Sequence, residues 1–102
     1  MKPPYFAVIF SSTLRNLEDE TYRKLAVRME ELAKKEPGFL GMESFRHADG
    51  KGVTISYWKS LADIKRWKNH AEHLVAQEYG KQYAYSNYTL RICEVQKAYS
   101  LN

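Results

Sequence analysis

The segment Tyr5-Phe6-Ala7-Val8-Ile9-Phe10 is the feature that most restricts how this chain can fold. It has the length and the β-branched and aromatic composition of a strand, and it contains no polar side chain apart from the tyrosine hydroxyl. A strand with one face in water would alternate apolar and polar residues. Because this strand does not alternate, we predict that both of its faces are buried.

A helix is predicted after this strand. A loop over 11–17 precedes it, Asn16 is a plausible N-cap, and Asp19 follows in an acidic first turn. Pro37-Gly38 ends the helix. The apolar residues in between recur at helical spacing: Tyr22, Leu25, Ala26, Met29, Leu32 and Ala33. This spacing predicts a helix with one buried stripe.

Three further strands are predicted. Those over 39–46 and 53–58 are joined by the glycine-containing segment 48–52, which is typical of a hairpin turn. The stretch 88–99 is rich in β-forming residues and completes the sheet. Its apolar face switches midway, which predicts a bulge or a change of pairing partner.

A second helix is predicted between the hairpin and the last strand. Ser60 begins it, and Asp63 occupies the capping-box position. Its apolar residues also recur at helical spacing: Leu61, Ile64, Trp67, Ala71, Leu74 and Val75. We expect a bend near Asn69-His70 and an end or a kink at Gly80.

The order of these elements, β-α-β-β-α-β, predicts an α+β protein with a ferredoxin-like antiparallel sheet, in which the first and third strands are central. Two helices can cover only one face of such a sheet. The other face would carry alternate residues of the first strand and aromatic residues of the others, and a patch of this kind rarely stays exposed on a monomer. We therefore predict a single domain over 1–102 that forms a homodimer through the open sheet face.

Composition excludes several classes of protein. No apolar run approaches the roughly 20 residues that span a bilayer, and no signal-peptide pattern is present. The single cysteine, Cys93, allows no internal disulfide and is interpreted as a small apolar packing residue. These features predict a cytoplasmic protein with no membrane partner.

The basic residues do not form a nucleic-acid-binding pattern. The net charge of +4 comes from scattered residues, and no run of four basic residues occurs. The segment 51–58 begins like the third-strand signature of the RNA recognition motif, but Val53 and Ile55 stand where aromatic rings would stack on bases. No nucleic-acid partner is expected.

Two segments resemble the antibiotic biosynthesis monooxygenase (ABM) domain family. Residues 36–43, Glu-Pro-Gly-Phe-Leu-Gly-Met-Glu, resemble its turn into the second strand. Residues 57–60 and 67–73, which contain Trp58, Trp67 and His73, resemble its third strand and second helix, and residues 77–80 are similar to stand-alone bacterial members. The resemblance implies a dimeric α+β barrel built from two ferredoxin-like subunits.

The same resemblance implies two kinds of chemistry. Some members oxidise polyketide-like aromatics with O2 and no cofactor, and distantly related members bind and degrade heme. The heme-degrading proteins use a tryptophan on the second helix, an iron-ligating histidine ten residues later and an asparagine on the first strand. Trp67 matches the tryptophan, but Gln77 stands in place of the histidine and the first strand has no asparagine. The sequence therefore favours a site without a cofactor, with heme binding as an alternative.

His73 is the candidate catalytic residue. It lies beside the helical stripe that contains Trp67, and an imidazole that titrates near neutral pH can take a proton from a phenol. A deprotonated, electron-rich aromatic can itself pass an electron to O2. The alternative is a histidine that is hydrogen-bonded at a pocket rim. His70, Glu72 and His73 could also approach a metal, but a third ligand and a dry second shell are missing from the pattern, so no metal is predicted.

Aromatic residues predict a flat pocket between the sheet and the helices for a small aromatic or hydrophobic molecule. The candidate substrate-binding residues are Trp58, Trp67, Gln77, Tyr83, Asn87 and Tyr88. Asn87 could orient a carbonyl group or O2. Together with these residues, the family resemblance implies a cofactor-independent monooxygenase, with a non-catalytic dimeric ligand-binding protein and a heme-degrading monooxygenase as alternatives.

Overall fold

A computed structural model describes residues 1–101, and within this range the chain alternates strands and helices in the predicted order. The elements are β1 (Tyr5–Leu14), α1 (Glu20–Ala33), β2 (Phe39–Arg46), β3 (Lys51–Trp58), α2 (Leu61–Lys68), α3 (Ala71–Tyr79), a π-helical turn (Gly80–Ala84) and β4 (Tyr85–Val95). The strands form one antiparallel sheet in the order β2-β3-β1-β4. The ferredoxin-like α+β prediction is confirmed, with β1 and β3 in the centre.

Strand β1 continues past the predicted end at Phe10. The segment 11–14, predicted as a loop because of its polar residues, pairs with both neighbouring strands: Ser11 lies opposite Val53 on one side and Thr89 on the other. A central strand satisfies its backbone hydrogen bonds on both sides, and this pairing outweighs the weak β-propensity of serine. The loop prediction was therefore wrong for these four residues.

Helix α1 begins later than predicted. Its N-cap is Asp19, whose carboxylate accepts a hydrogen bond from the Tyr22 amide at 3.0 Å. Asn16 instead accepts from the Glu18 amide at 2.9 Å, within the preceding turn. The hydroxyl of Tyr79 also donates to Asp19 at 2.8 Å, so a contact from α3 fixes the cap there. Such a long-range contact leaves no local pattern in the sequence.

The predicted bend in the second helix is confirmed as a break between α2 and α3. Helix α2 ends at Lys68, and α3 begins at Ala71 with His70 as its N-cap. The Nδ1 atom of His70 accepts a hydrogen bond from the Glu72 amide at 3.2 Å. At the start of α2, Ser60 accepts from the Asp63 amide at 3.1 Å, as the capping pattern predicts.

Strand β4 begins at Tyr85, three residues earlier than predicted. The register with β1 shifts between Thr13, which lies opposite Asn87, and Leu14, which lies opposite Tyr85. The irregularity is therefore at Ser86 and not midway along the strand, where the bulge was predicted. From Asn87 to Val95 the pairing is continuous, so both faces of β4 carry apolar residues without any change of register.

The helices cover one face of the sheet. Trp58 of β3 stacks on Trp67 of α2 with ring centroids 6.3 Å apart, and Tyr85 of β4 contacts Tyr22 of α1 with centroids 5.6 Å apart. Since side chains alternate along a strand, the pairing assigns further residues to this helix-side face. They are Phe6, Val8, Phe10, Ser12, Ser56, Tyr88, Leu90 and Ile92.

The opposite, open face of the sheet carries no helix. Its residues include Ala7, Ile9, Glu43, Phe45, Val53, Ile55, Tyr57, Arg91 and Cys93. The Tyr57 hydroxyl donates to the Glu43 carboxylate at 2.6 Å, and this hydrogen bond raises the pKa of Tyr57 to about 12. Ile9 is half-buried and Phe45 is 62% exposed in the single chain. Burial of this face stays a prediction that depends on a second copy.

Candidate functional site

The break between α2 and α3 brings His73 onto the ring of Trp67. The two rings are nearly parallel, with centroids 4.4 Å apart and an angle of 14° between their planes. His73 Nδ1 lies 3.0 Å from the Trp67 carbonyl oxygen, which can only accept a hydrogen bond. Nδ1 therefore carries the proton of the neutral imidazole, and Nε2 is the unprotonated nitrogen.

The surroundings of His73 favour its neutral form. Burial lowers the pKa of His73, and the hydrogen bond to the Trp67 carbonyl opposes this shift only in part. Within residues 1–101, His73 Nε2 makes no hydrogen bond. Ser12 Oγ is the fully buried side-chain polar atom without a partner in this range, so Nε2 is not fully buried. Nε2 is therefore accessible. A neutral imidazole with an accessible lone pair is in the correct state to accept a proton.

Gln77 lies one turn after His73 and links α3 to the end of α2. Its Nε2 donates to the Lys68 carbonyl at 2.9 Å and lies 3.3 Å from His73 Nδ1. Because both of these nitrogen atoms are donors in the assigned tautomer, the second distance is a packing contact. Gln77 thus holds the break in place beside His73.

Trp58 supports Trp67 from below. Its side chain has no exposed surface, its Nε1 donates to Ser56 Oγ at 2.9 Å, and the edge of Phe39 packs against it with centroids 5.3 Å apart. A fully enclosed ring cannot touch a ligand directly. The stack of Trp58, Trp67 and His73 therefore extends from the core to the accessible Nε2.

The three predicted residues near the start of β4 do not lie together. Tyr88 lies on the helix-side face and packs on Phe10 with centroids 5.3 Å apart. Asn87 lies on the open face, where its Oδ1 accepts from the Thr13 hydroxyl at 3.3 Å. Tyr83 is 61% exposed and contacts Tyr79 in the π-helical region. Strand alternation after the bulge at Ser86 separates Asn87 from Tyr88.

The helix-side face over β1 and β4 carries an exposed apolar strip. The helices do not cover the edge strand, as the exposed fractions of Tyr88, Leu90 and Ile92 show: 43%, 51% and 49%. Phe6, Val8 and Phe10 of the adjacent strand are half-buried. This strip offers an apolar surface that suits a flat hydrophobic molecule.

Sequence reasoning missed a polar cluster on the same face. Arg46 Nη2 and the Tyr85 hydroxyl both donate to the Tyr22 hydroxyl, at 3.3 and 3.2 Å. Burial raises the pKa of Tyr85, and its hydrogen bond to Tyr22 adds to the shift. The three residues come from β2, α1 and β4, so no local spacing in the sequence could have indicated them. The weak signal is Gly52, which lies opposite Arg46 in the hairpin.

The other candidate ligands for a metal are engaged elsewhere. Glu72 forms an ion pair with Arg28 of α1 at 2.9 Å, and His70 caps α3. In the part of the chain that the structure describes, no three His, Cys, Asp or Glu side chains are grouped to hold a metal ion. Over the same residues, no helix combines the length and the hydropathy needed to cross a membrane.

Comparisons with known proteins agree with this fold. The model of the antibiotic biosynthesis monooxygenase family matches residues 4–79. The uncharacterized protein YqjZ of Bacillus subtilis (strain 168) is 47% identical over 96 residues, which cover 94% of this chain and 83% of the relative. Jasmonate monooxygenase ABM of Pyricularia oryzae is 27% identical over 92 residues, 88% of this chain; the match spans only 43% of that longer protein.

Solved structures share the architecture at low sequence identity. A mutant of SnoaB, a cofactor-independent oxygenase from Streptomyces nogalater, has a TM-score of 0.80 and 13% identity, and the match covers 94% of this chain and 97% of that one. Rv0793 from Mycobacterium tuberculosis has a TM-score of 0.81 and 15% identity, with 94% and 99% covered. At this identity the likeness establishes the fold alone.

Proposed function

The chain belongs to the antibiotic biosynthesis monooxygenase family, and from that membership we propose that it oxidises a small aromatic or hydrophobic substrate with O2 and without a cofactor. The observation that carries the proposal is the state of His73, a neutral imidazole with its Nδ1 proton held by the Trp67 carbonyl and Nε2 accessible. Two comparisons are consistent with this class of reaction: a curated relative is named a jasmonate monooxygenase, and a solved structure with the same fold is described as a cofactor-independent oxygenase.

The proposed reaction begins with proton transfer to His73 Nε2. The electron-rich anion that remains passes one electron to O2, and the two radicals join in a new C–O bond. His73 returns its proton to the peroxide that results. The second hydrogen of the carbon then leaves as a proton while the O–O bond breaks, and water departs. In total a CH2 group and O2 become a C=O group and water, so the substrate supplies all four electrons. The stacked indole of Trp67 stabilises the imidazolium while it exists.

Oxygen uptake tests this proposal. Purified protein is supplied with a panel of hydroxynaphthalenes and anthrones in the presence of a metal chelator, and the product is analysed after reaction under 18O2. We expect uptake with one labelled oxygen atom in the product. The variant His73→Gln, which keeps a polar side chain of similar size, should lower kcat by about 10²- to 10⁴-fold.

His47 provides the matched control for this experiment. It lies on the β2–β3 hairpin with a side chain that is 76% exposed, so His47→Gln should leave uptake unchanged. Full activity in His73→Gln would reject His73 as the base. Panel members that bind without oxygen uptake would favour a ligand-binding protein, and a panel that neither binds nor reacts would reject this substrate class.

We also propose that two copies of the chain associate through the open face of the sheet. One cross-strand row supports this: Glu43, Ile55, Ile9 and Arg91 lie at the same level on β2, β3, β1 and β4. The row has an acidic residue at one edge, a basic residue at the other and two isoleucines between them. Its apolar centre and charged edges match those of a protein interface.

The charges in this row select one arrangement of the two copies. A two-fold axis parallel to the strands places Glu43 over Arg91 of the partner subunit, whereas an axis across the strands places like charges together. The parallel axis also makes β2 of one copy antiparallel to β4 of the other, so the edges can pair. The predicted dimeric barrel follows from this arrangement.

Charge exchange tests the arrangement. Light scattering of the unmodified protein should give twice the mass of one chain. Glu43→Arg and Arg91→Glu should each weaken the dimer, because like charges then meet, and the double variant should restore it. Glu43→Gln keeps a hydrogen-bond acceptor for Tyr57 and controls for loss of that contact. If the double variant dimerises no more tightly than the single variants, this axis is rejected. A monomeric unmodified protein would reject the dimer.

A further inference from the structure

Arg46 lies half-buried on the helix-side face without a carboxylate partner. Its Nη1 donates to the carbonyl oxygens of Gly50 at 2.8 Å and Ser12 at 3.1 Å, and its Nη2 donates to the Tyr22 hydroxyl. Among the ion pairs of residues 1–101, none includes Arg46. A guanidinium has five N–H groups. Nε and one N–H of Nη2 therefore remain without an acceptor in this part of the chain.

Two hydroxyl groups beside Arg46 also lack an acceptor. The Tyr22 hydroxyl receives hydrogen bonds from Arg46 and Tyr85, so its own proton is left over. Ser12 is only 5% exposed, and its Oγ is buried without any hydrogen-bond partner. An unpaired buried hydroxyl costs free energy, so its presence calls for an explanation. The cluster is rich in donors and short of acceptors.

The side chains of this cluster occupy space that is free because two neighbouring residues are glycines. A Cβ atom at Gly52 would lie 2.6 Å from Arg46 Cζ, and one at Gly80 would lie 2.8 Å from the ring of Tyr85. Gly52 is the direct cross-strand neighbour of Ser12, so the guanidinium over Gly52 borders the Ser12 side chain. Side chains at both glycine positions would displace the cluster.

The cluster lies at the end of the helix-side face where β4 begins at Tyr85. Gly80, which touches Tyr85, follows His73 by seven residues and lies on the same side of the helical segment, about 10 Å further along its axis. Phe10 packs against both Tyr85 and Tyr88 on the helix-side face. These apolar rings lie directly beside the cluster and suit the body of an aromatic ligand.

We propose that Arg46, Tyr22 and Ser12 bind an anionic oxygen, a carboxylate or phenolate, of a small aromatic ligand whose ring packs on Phe10 and Tyr88. The anion supplies the acceptor that the three donors lack, through charge-assisted hydrogen bonds. That this ligand is the substrate of His73 rests on the proposed oxygenation, whereas the preference for an anion rests on the donors alone. The substrate class becomes an acidic aromatic compound.

Binding of two isosteric probes tests this site without any turnover. Quenching of tryptophan emission is measured with 2-naphthoate and with the neutral 2-naphthamide. Loss of charge-assisted hydrogen bonds typically costs about ten- to hundredfold in affinity, so the unmodified protein should prefer naphthoate by that factor. Arg46→Met should abolish the preference by weakening naphthoate alone. Tyr22→Phe, which keeps the ring, should reduce it.

Arg66→Met is the matched control, since Arg66 lies on α2 with an exposed side chain and an ion pair to Asp63. Tyr22→Phe also keeps the test decisive if Arg46→Met fails to fold. Equal affinity for the two probes, or a preference that survives both variants, would overturn the site. Anion preference without oxygen uptake would reject the oxygenation and leave this site standing. Oxygen uptake from neutral substrates that neither variant changes would support the oxygenation and reject the anion site.

Discussion

His73 is one of three histidines in the chain, and its surroundings separate it from the other two. His47 is exposed on a hairpin, and His70 uses its Nδ1 lone pair in the cap of α3. His73 alone of the three combines a half-buried ring, a fixed tautomer and an accessible nitrogen. These properties depend on the break between α2 and α3, where the Trp67 carbonyl also accepts a hydrogen bond from His73 Nδ1.

The pH dependence of the reaction should reflect the protonation state of His73. The proposed base must be unprotonated, and burial lowers the pKa of His73 below the ordinary value of 6.5. We therefore expect kcat/KM to rise with pH through an apparent pKa below 6.5 and to level off above it. Oxygen uptake between pH 4.5 and 8 measures the profile. A rise centred at 6.5 or higher would contradict this assignment.

Stability should follow the same titration. The unfolded chain binds a proton at His73 more readily than the folded protein, so the free energy of unfolding decreases as pH falls below 6.5.

The second residue-scale prediction concerns Trp58. Its ring has no exposed surface and supports Trp67, so Trp58→Ala should lower the free energy of unfolding by about 3–5 kcal/mol. Trp58→Phe retains part of the packing and should cost less. Urea unfolding measures both, with Tyr99→Ala as the control because Tyr99 is 87% exposed. A Trp58→Ala protein as stable as the control would show that the stack is not part of the core.

The residues of the site were only partly predictable from the sequence. Helical spacing put His73 beside the stripe that contains Trp67, but the contact between the two rings depends on the break between α2 and α3. Which face of the sheet Asn87 and Tyr88 occupy depends on the bulge at Ser86, and the sequence did not predict the position of this bulge. Arg46 and Tyr22 meet through tertiary packing of β2 and α1, which no short pattern encodes.

At the scale of elements, the cap of α3 determines where His73 lies. His70→Ala should remove the side-chain acceptor for the Glu72 amide and cost about 0.5–2 kcal/mol, as loss of an N-cap usually does. His70→Asn keeps an acceptor and should retain most of the stability. Thermal unfolding compares the two variants. If they are equally stable, the cap does not contribute.

The boundaries of elements show what local sequence can determine. The break at Asn69-His70 was predictable because both residues are weak helix formers. The extension of β1 through Ser11-Ser12 was not, because the hydrogen bonds that hold it come from β3 and β4. The start of α1 at Asp19 likewise depends on Tyr79, which is sixty residues away.

At the scale of the whole molecule, association and folding should be linked. If two copies bury the open face, the melting temperature should rise with protein concentration, because unfolding then separates the subunits. Ile9→Lys should remove this dependence by placing a charge in the row between Glu43 and Arg91. Val27→Lys is the control, since Val27 is 57% exposed on α1 and away from this face. Differential scanning calorimetry at two concentrations separates the outcomes, and a constant melting temperature in the unmodified protein would contradict association.

The architecture was the most predictable level. The apolar strand at residues 5–10 required cover on two sides, and the order of elements allowed helices on only one of them. The resulting sheet is the observed one, while the second copy stays a prediction.

The contact between His73 and Trp67 also gives the protein an internal optical probe. A protonated imidazole quenches the emission of an indole beside it more strongly than a neutral one, and these rings are 4.4 Å apart. Tryptophan fluorescence should therefore dim as pH falls through the pKa of His73, and Trp67→Phe should abolish this change. The charge state of the proposed base can then be followed in solution without a label, a substrate or turnover.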